Sequence, residues 1–179
     1  HHKILVAKGC FKVGLYKQGL LHDMSKYSPT EFWVGAKYYQ GTRSPNNAER
    51  EDIGYSSAWL HHKGRNKHHY EYWIDYSMQA LPGGMAPVPM PDKYIAEMIM
   101  DRIAASKVYM GGEYMDRSPL DYYYQGTDRA PIHPETKAKL LYVLEMLAEE
   151  GEEKTFRFIK KELVQQKRCM DWHQLKKAE

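Results

Sequence analysis

Histidine and aspartate residues cluster in this chain in a way that could bind a metal. Seven of the nine histidines fall within the first 69 residues, and the segment "HHKGRNKHH" at 61–69 holds four of them. Further upstream, His22 and Asp23 stand side by side directly after Leu20 and Leu21. A neutral imidazole offers one ring nitrogen to a metal, and an aspartate can bridge two metals through its two oxygens. These residue types therefore predict a site with nitrogen and oxygen ligands.

Two further polar residues fall on predicted helix faces that are otherwise apolar. His2 precedes Val6 and Cys10 by four and eight residues, which places it on their stripe. Asp101 is at helical spacing from Tyr94, Met98, Ala105 and Val108. An ionised carboxylate costs free energy in apolar surroundings unless it is paired or bound to a metal. Asp101 is therefore either a further ligand or an ion-pair partner at the rim of its face.

The order of these residues along the chain resembles a known family. The segment "LLHDMSK" is similar to the hallmark of the HD superfamily of metal-dependent phosphohydrolases, an apolar pair followed by His-Asp, two residues and Lys. The family pattern adds an upstream His, here His2, and a final Asp on a later helix, here Asp101 in "MDRIAA". The segments "HDMSKYSPTEF" and "HHKGRNKHHYEYW" together resemble a branch of this superfamily that consists of small bacterial and phage proteins. The resemblance covers residues 2–109.

The resemblance implies an HD-domain-like helical bundle that binds one or two divalent transition metal ions per chain, chosen from Mn, Ni, Fe, Co and Zn. Members with two metals carry further histidines between the doublet and the last Asp, and the segment 61–69 occupies that interval. The sequence leaves open which of its four histidines bind. The implied ligands are His2, His22, Asp23, His61, His62, His68, His69 and Asp101.

The resemblance also implies a reaction in which metal-activated water hydrolyses a phosphate ester, with nucleotides among the candidate substrates. The metal would lower the pKa of its water and polarise a phosphoryl oxygen. Asp23 would ligate the metal and orient the water, and Lys26, one helical turn later, would meet a phosphate charge. Glu71 or an unligated histidine would move protons to the leaving group. Arg65 and Arg102 are the other substrate-binding candidates. For Lys26 and Arg65, the alternative interpretation is a solvated surface charge.

Two other functions fit the same residues. The same ligand order serves di-iron oxygenases of this superfamily, which need two iron ions and an oxygen-dependent reaction. A regulatory protein could also keep the site to bind a metal or a nucleotide without turnover. Lys26 beside the doublet favours phosphate chemistry, so the hydrolase is the main prediction.

The overall composition narrows the expected partners and compartment. Hydrophobic residues make up 42% and charged residues 27%, as in ordinary globular proteins. A net charge of +3 does not favour nucleic acid, and no apolar run approaches the roughly 20 residues that cross a bilayer. Two cysteines outside any CxxC pattern favour a reducing compartment. We therefore expect a cytoplasmic enzyme with a small phosphorylated substrate. Because the chain begins without methionine, His1 or His2 could come from a purification tag.

The apolar spacing predicts an all-α protein that forms one domain over residues 1–179. Segment 68–78 is predicted as a helix or a turn-rich segment, and the Pro/Gly-rich segment 81–91 as a loop that could cover a site. The leucine face of the helix at 134–150 either joins the core or forms a homodimer contact. Helices are predicted at residues 2–14, 19–24, 29–39, 48–63, 91–110, 134–150 and 152–168.

Overall fold

A computed structural model describes residues 1–41, 43–78, 84–126 and 130–165. Over these residues the protein is all-α, as predicted, apart from one two-stranded sheet. The helices are α1 (His2–Val13), α2 (Tyr16–Leu21), α3 (Pro29–Tyr38), α4 (Pro45–Ile53), α5 (Ser57–Lys63), α6 (Asp92–Met110), α7 (Ser118–Gly126) and α8 (Pro134–Phe158). Strands β1 (Ile74–Tyr76) and β2 (Met85–Pro87) pair antiparallel, with Ile74 opposite Pro87. None of the helices in these residues has both the length and the apolar character that crossing a bilayer requires.

Helix α6 runs through the hydrophobic core and is buried at every position from Ile95 to Met100. The predicted apolar face that contains Asp101 runs from the core, where Met98 is buried, to the surface, where Val108 is 39% exposed. Helix α1 packs closely against α6. A Cβ atom added at Gly9 would come within 2.8 Å of Met100 Sδ. This close approach holds the second half of α1 against the middle of α6, and His2 at the start of α1 reaches Asp101.

The chain leaves helical geometry at the His-Asp doublet. Helix α2 begins at Tyr16 and ends at Leu21, so the predicted helix at 19–24 is wrong at both ends. Asp23 has a φ of 54°, the one positive φ of a non-glycine residue in the described part of the chain, and a 3-10 turn (Met24–Tyr27) follows. Aspartate tolerates this left-handed conformation better than most residues. Neighbouring side chains in a helix point about 100° apart, whereas this break lets His22 and Asp23 face one centre.

Segment 48–63 forms two helices instead of the single helix predicted. Helix α4 ends at Gly54, which has a left-handed φ of 84°. Ser56 then caps α5 by accepting a hydrogen bond from the backbone N–H of Trp59 at 3.0 Å. Glycine after a helix end and serine at an N-cap are ordinary boundary signals, and both were present in the sequence. The short helix α5 consequently carries two of the histidines in its last turn.

Two short strands form in the middle of the chain, where none was predicted. Segment 68–78 forms a 3-10 turn (Tyr70–Trp73) followed by strand β1, so its first part agrees with the turn-rich alternative and not with the helix. Strand β2 lies within the predicted loop at 81–91, while residues 79–83 are outside the described residues. Helix α7 forms in a tyrosine-rich segment for which no helix was predicted.

The break predicted between helices at 134–150 and 152–168 is confirmed, because helical geometry is interrupted within α8 at Gly151. Helix α8 passes through Gly151, whose φ of 80° is not helical, and continues into a π-helical segment (Ile159–Val164). Residues from 166 onward are outside the described residues. The leucine face joins the core within the chain, since three of its members are fully buried: Leu140, Leu144 and Leu147.

Candidate metal centre

A first group of candidate ligands joins the start of α1, the end of α2 and the middle of α6. His2 Nε2 lies 2.9 Å from Asp101 Oδ1. His22 Nε2 lies 3.4 Å from the same oxygen and also 3.4 Å from Asp23 Oδ2. The ligand atoms of His2, His22 and Asp101 converge. We define the first group as these three residues together with Asp23, whose Oδ2 contacts His22; they are the four residues that the family pattern predicted.

A second group forms around the other oxygen of Asp23. Asp23 Oδ1 lies 3.3 Å from His62 Nε2 and 3.4 Å from His68 Nε2. His62 Nε2 lies 2.9 Å from His69 Nε2. The second group therefore consists of Asp23, His62, His68 and His69, and Asp23 belongs to both groups through different oxygens.

A chain reversal after α5 brings the histidines of the second group together. Asn66 fixes the reversal by donating hydrogen bonds to the His62 carbonyl oxygen at 2.9 Å and to Ser25 Oγ at 2.7 Å. The Trp59 ring stacks on His62 at 5.5 Å and meets His69 edge-on at 4.8 Å. These contacts explain how three ligands within eight residues can converge, although spacing alone did not predict it.

The residues fit a centre with two cations. Three atoms that face the two groups are buried without a hydrogen-bond partner among the described residues: His22 Nε2, Asp23 Oδ1 and His68 Nε2. Each unsatisfied buried polar atom costs about 1–3 kcal/mol. Metal bonds of about 2.0–2.2 Å to nitrogen and oxygen place neighbouring ligand atoms about 3–3.5 Å apart, which agrees with the separations above. A divalent cation in each group would satisfy all three atoms.

Glu97 contacts the opposite edges of two of these rings. Its Oε1 accepts hydrogen bonds from His22 Nδ1 at 3.1 Å and from His68 Nδ1 at 3.2 Å. Because a neutral imidazole has a single N–H, these bonds leave both Nε2 lone pairs for a cation. Sequence reasoning missed Glu97, although a signal existed: it stands four residues before Asp101 and so on the same side of α6.

Glu31 has the same relation to two histidines of α5. Its Oε2 lies 2.8 Å from His62 Nδ1, and its Oε1 lies 2.7 Å from His61 Nδ1. The structure therefore does not bring His61 into either ligand group. Glu31 was also missed, because an acidic residue three positions after the α3 cap Ser28 is ordinary in a first helical turn.

The shared carboxylate carries a negative charge and a lysine partner. Burial raises the pKa of Asp23, but the nearby His62 imidazole and the charges of Lys26 and His22 outweigh burial and hold the pKa well below its usual range. Lys26 Nζ lies 2.7 Å from Asp23 Oδ2, and the lysine side chain is 55% exposed. Although desolvation lowers the pKa of Lys26, the charge of Asp23 raises it above its ordinary value. Lys26 therefore stays cationic between the centre and solvent.

The imidazoles of the centre differ in their affinity for protons. Burial lowers the pKa of His22, but the nearby carboxylates of Asp101 and Glu97 raise it, to about 9. Burial holds the pKa of His69 well below its usual range, and the charge of His68 lowers it further. Without a metal, His22 is therefore protonated near neutral pH, and a cation that binds there must displace this proton. Carboxylates and deprotonated imidazoles together form a ligand set that suits Mn, Fe, Co, Ni or Zn.

The remaining predicted site residues lie around the centre. Arg102 follows Asp101 on α6, and burial lowers its pKa. Burial and the charge of Glu71 raise the pKa of Tyr70 to about 12. Glu71 lies within electrostatic reach of Arg102, and its Oε2 is buried without a hydrogen-bond partner among the described residues. No hydrogen bond or ion pair between described residues links it to either ligand group. Arg65 is exposed, and its Nη1 lies 3.4 Å from the His61 carbonyl oxygen.

Comparison with known proteins assigns the chain to a family. A family model described as "Family of unknown function (DUF5662)" matches residues 1–146, most of the chain. The chain belongs to this family. The matched span contains both ligand groups together with Glu31 and Glu97. No curated protein and no solved structure matches the chain.

Proposed function

We propose that the protein is a metal-dependent hydrolase of phosphate esters, with two divalent cations held by the two ligand groups. The observation that carries this proposal is the position of Asp23, whose two oxygens face separate sets of ring nitrogens while Lys26 Nζ lies 2.7 Å from Oδ2. Two cation positions that share a carboxylate, next to an exposed ammonium group, can receive a phosphoryl group. The resemblance of "LLHDMSK" and the distal Asp101 to the HD superfamily supports the same reaction.

The residues of the centre have distinct roles in this proposal. When bound, the cations would polarise a phosphoryl oxygen and lower the pKa of a water molecule. Asp23 positions both sites, and Lys26 neutralises charge that develops on the phosphoryl oxygens. Glu97 and Glu31 hold the imidazole rings so that their Nε2 atoms stay directed at the centre.

The proposed substrate is a small phosphorylated molecule, with nucleotides as the first class to test. The proposed compartment is the cytoplasm. Cys10 supports a reducing compartment, because it is a buried free thiol.

The test is a hydrolysis assay on metal-loaded protein without an affinity tag. The substrates are p-nitrophenyl phosphate, bis(p-nitrophenyl) phosphate and nucleoside mono-, di- and triphosphates. We expect Asp23→Ala to lower kcat/KM by about a hundredfold or more, and Lys26→Ala to raise KM with the metal content unchanged. His61→Ala is the matched control, since its ring lies outside both groups, and it should retain activity. Absence of hydrolysis by protein that holds Mn, Fe, Co, Ni or Zn would refute the proposal.

The shared carboxylate also favours one alternative, a di-iron oxygenase. Carboxylate and imidazole ligands in two adjacent groups suit iron as well as the other metals. Oxygen uptake by the iron-loaded protein, together with no hydrolysis by the manganese-loaded protein, would replace the hydrolase proposal. Bound metal without either reaction would assign a regulatory protein.

A further inference from the structure

A shallow groove next to the metal centre is lined by four basic residues from three parts of the chain. Lys17 belongs to α2, Arg65 and Lys67 follow α5, and Lys93 stands in the first turn of α6. We propose that this basic groove, defined by these four residues and Tyr94, binds a chain of phosphate groups, either a free oligophosphate or the phosphate tail of a nucleotide. The proposal goes beyond the proposed hydrolysis and does not depend on it, because none of the five residues belongs to a ligand group.

The charge of the basic groove is not neutralised within the described part of the chain. None of its four cations has a carboxylate at ion-pair distance there, whereas other surface cations such as Arg43 and Lys154 do. Like charges that converge repel one another, and a bound anion relieves that repulsion. The whole chain has a net charge of only +3. Four cations without a carboxylate partner among the described residues therefore concentrate positive charge in the basic groove.

An aromatic ring holds two of the cations in place. Lys93 Nζ lies 4.9 Å from the centre of the Tyr94 ring, and Lys67 Nζ lies 5.9 Å from it. Lys67 Nζ is also 5.4 Å from the centre of the Tyr72 ring. Cation–π contacts at these distances restrict flexible lysine side chains. The ammonium groups are thus positioned before an anion binds, which lowers the entropic cost of binding.

The floor of the basic groove adjoins the metal centre, and the residues of this floor do not neutralise the positive charge of the groove. His68 and Glu97 line it, and Glu97 is the one carboxylate in the lining formed by described residues. That carboxylate already accepts hydrogen bonds from His22 and His68. The groove has a volume of about 290 Å³, near the lower limit of the roughly 300–1,000 Å³ typical of ligand sites. This size favours a phosphate chain over a bulky ligand.

The proposal is tested by calorimetric titration of the metal-loaded protein with tripolyphosphate at low ionic strength. We expect the double variant Lys67→Glu/Lys93→Glu to bind tripolyphosphate about tenfold more weakly or worse, because charge-assisted contacts are replaced by repulsion. Lys8→Glu/Lys160→Glu changes the net charge equally at exposed positions away from the groove, and it should bind like the wild type. The neutral variant Lys67→Gln/Lys93→Gln gives a milder second test and should lie in between.

Two further arms locate the anion and identify its source. Asp23→Ala should keep tripolyphosphate binding, which separates the groove from the metal centre and keeps this result independent of any hydrolysis. ATP that binds as tightly as tripolyphosphate would assign recognition to the phosphate chain, and tighter ATP binding would assign it to a nucleotide. Unchanged binding in both Lys67/Lys93 variants, or loss of binding in Asp23→Ala, would overturn the proposal.

Discussion

Replacing Glu97 with glutamine perturbs both ligand groups through a single atom. Glu97 Oε1 accepts the Nδ1–H of His22, which belongs to the first group, and of His68, which belongs to the second. Glutamine is a weaker acceptor, and its amide N–H₂ cannot accept from either ring. The amide oxygen can still accept from both rings, but this uncharged acceptor fixes the tautomer and orientation of each ring less firmly.

The expected magnitude follows from the number of rings affected. Loss of one such outer partner lowers metal affinity by about 10–100-fold. Since one affected ring serves each group, both cations of Glu97→Gln should bind about 10–100-fold more weakly, or about 1.4–2.7 kcal/mol per ion. The assay is competition against a chelator of known affinity, with manganese or zinc, combined with metal content after dialysis.

Two matched variants make this result specific. Glu31 contacts one ligand, His62, of the second group. Glu31→Gln should therefore weaken binding of the second cation and leave the affinity for the first cation unchanged. Glu49→Gln replaces a buried carboxylate that contacts Ser56 and Ser57 instead of the centre, so it should lower stability without changing metal affinity. Wild-type affinity for both cations in Glu97→Gln would refute the role assigned to this residue.

Three further predictions concern the scaffold. Gly54→Ala should lower the free energy of unfolding by about 1–2 kcal/mol, because alanine is strained at a φ of 84°; unchanged urea denaturation would contradict this. Lys139→Ala should cost about 1–3 kcal/mol in the same assay, since Lys139 Nζ lies 2.7 Å from both Asp92 Oδ1 and Glu135 Oε1; an unchanged midpoint would count against a structural role. Burial raises the pKa of Glu49, but hydrogen bonds from serine hydroxyls outweigh it and hold the pKa below its usual range. The stability that Glu49 contributes is therefore present above its unfolded pKa of about 4.3 and lost as pH falls through the folded value, so the wild type and Glu49→Gln should converge in acid; a stability difference that does not shrink would refute this.

Sequence reasoning found the first ligand group because burial makes such residues costly. His22, Asp23 and Asp101 stood beside or among apolar residues, where a charged group needs a partner. The second group was harder to predict, since its convergence depends on the left-handed conformation of Asp23 and on the reversal fixed by Asn66. Neither is a periodic feature, so spacing could not separate the ligands from His61.

The helices could be predicted from apolar spacing, but several boundaries could not. The long helix α6 was placed within one residue because Pro91 precedes a sustained periodic pattern. Segment 48–63 was predicted as continuous because the helical pattern on both sides outweighed the end signal at Gly54. Strands β1 and β2 have three residues each, too few for alternation to be visible.

The central claim, that Asp23 joins two cation sites, is tested most directly by metal content. Protein without an affinity tag is loaded with manganese or zinc, dialysed, and measured by elemental analysis. We predict two ions per chain for the wild type and for His61→Ala, and loss of both ions in Asp23→Ala. Two ions retained in Asp23→Ala, or no metal bound by the wild type after loading, would contradict the account.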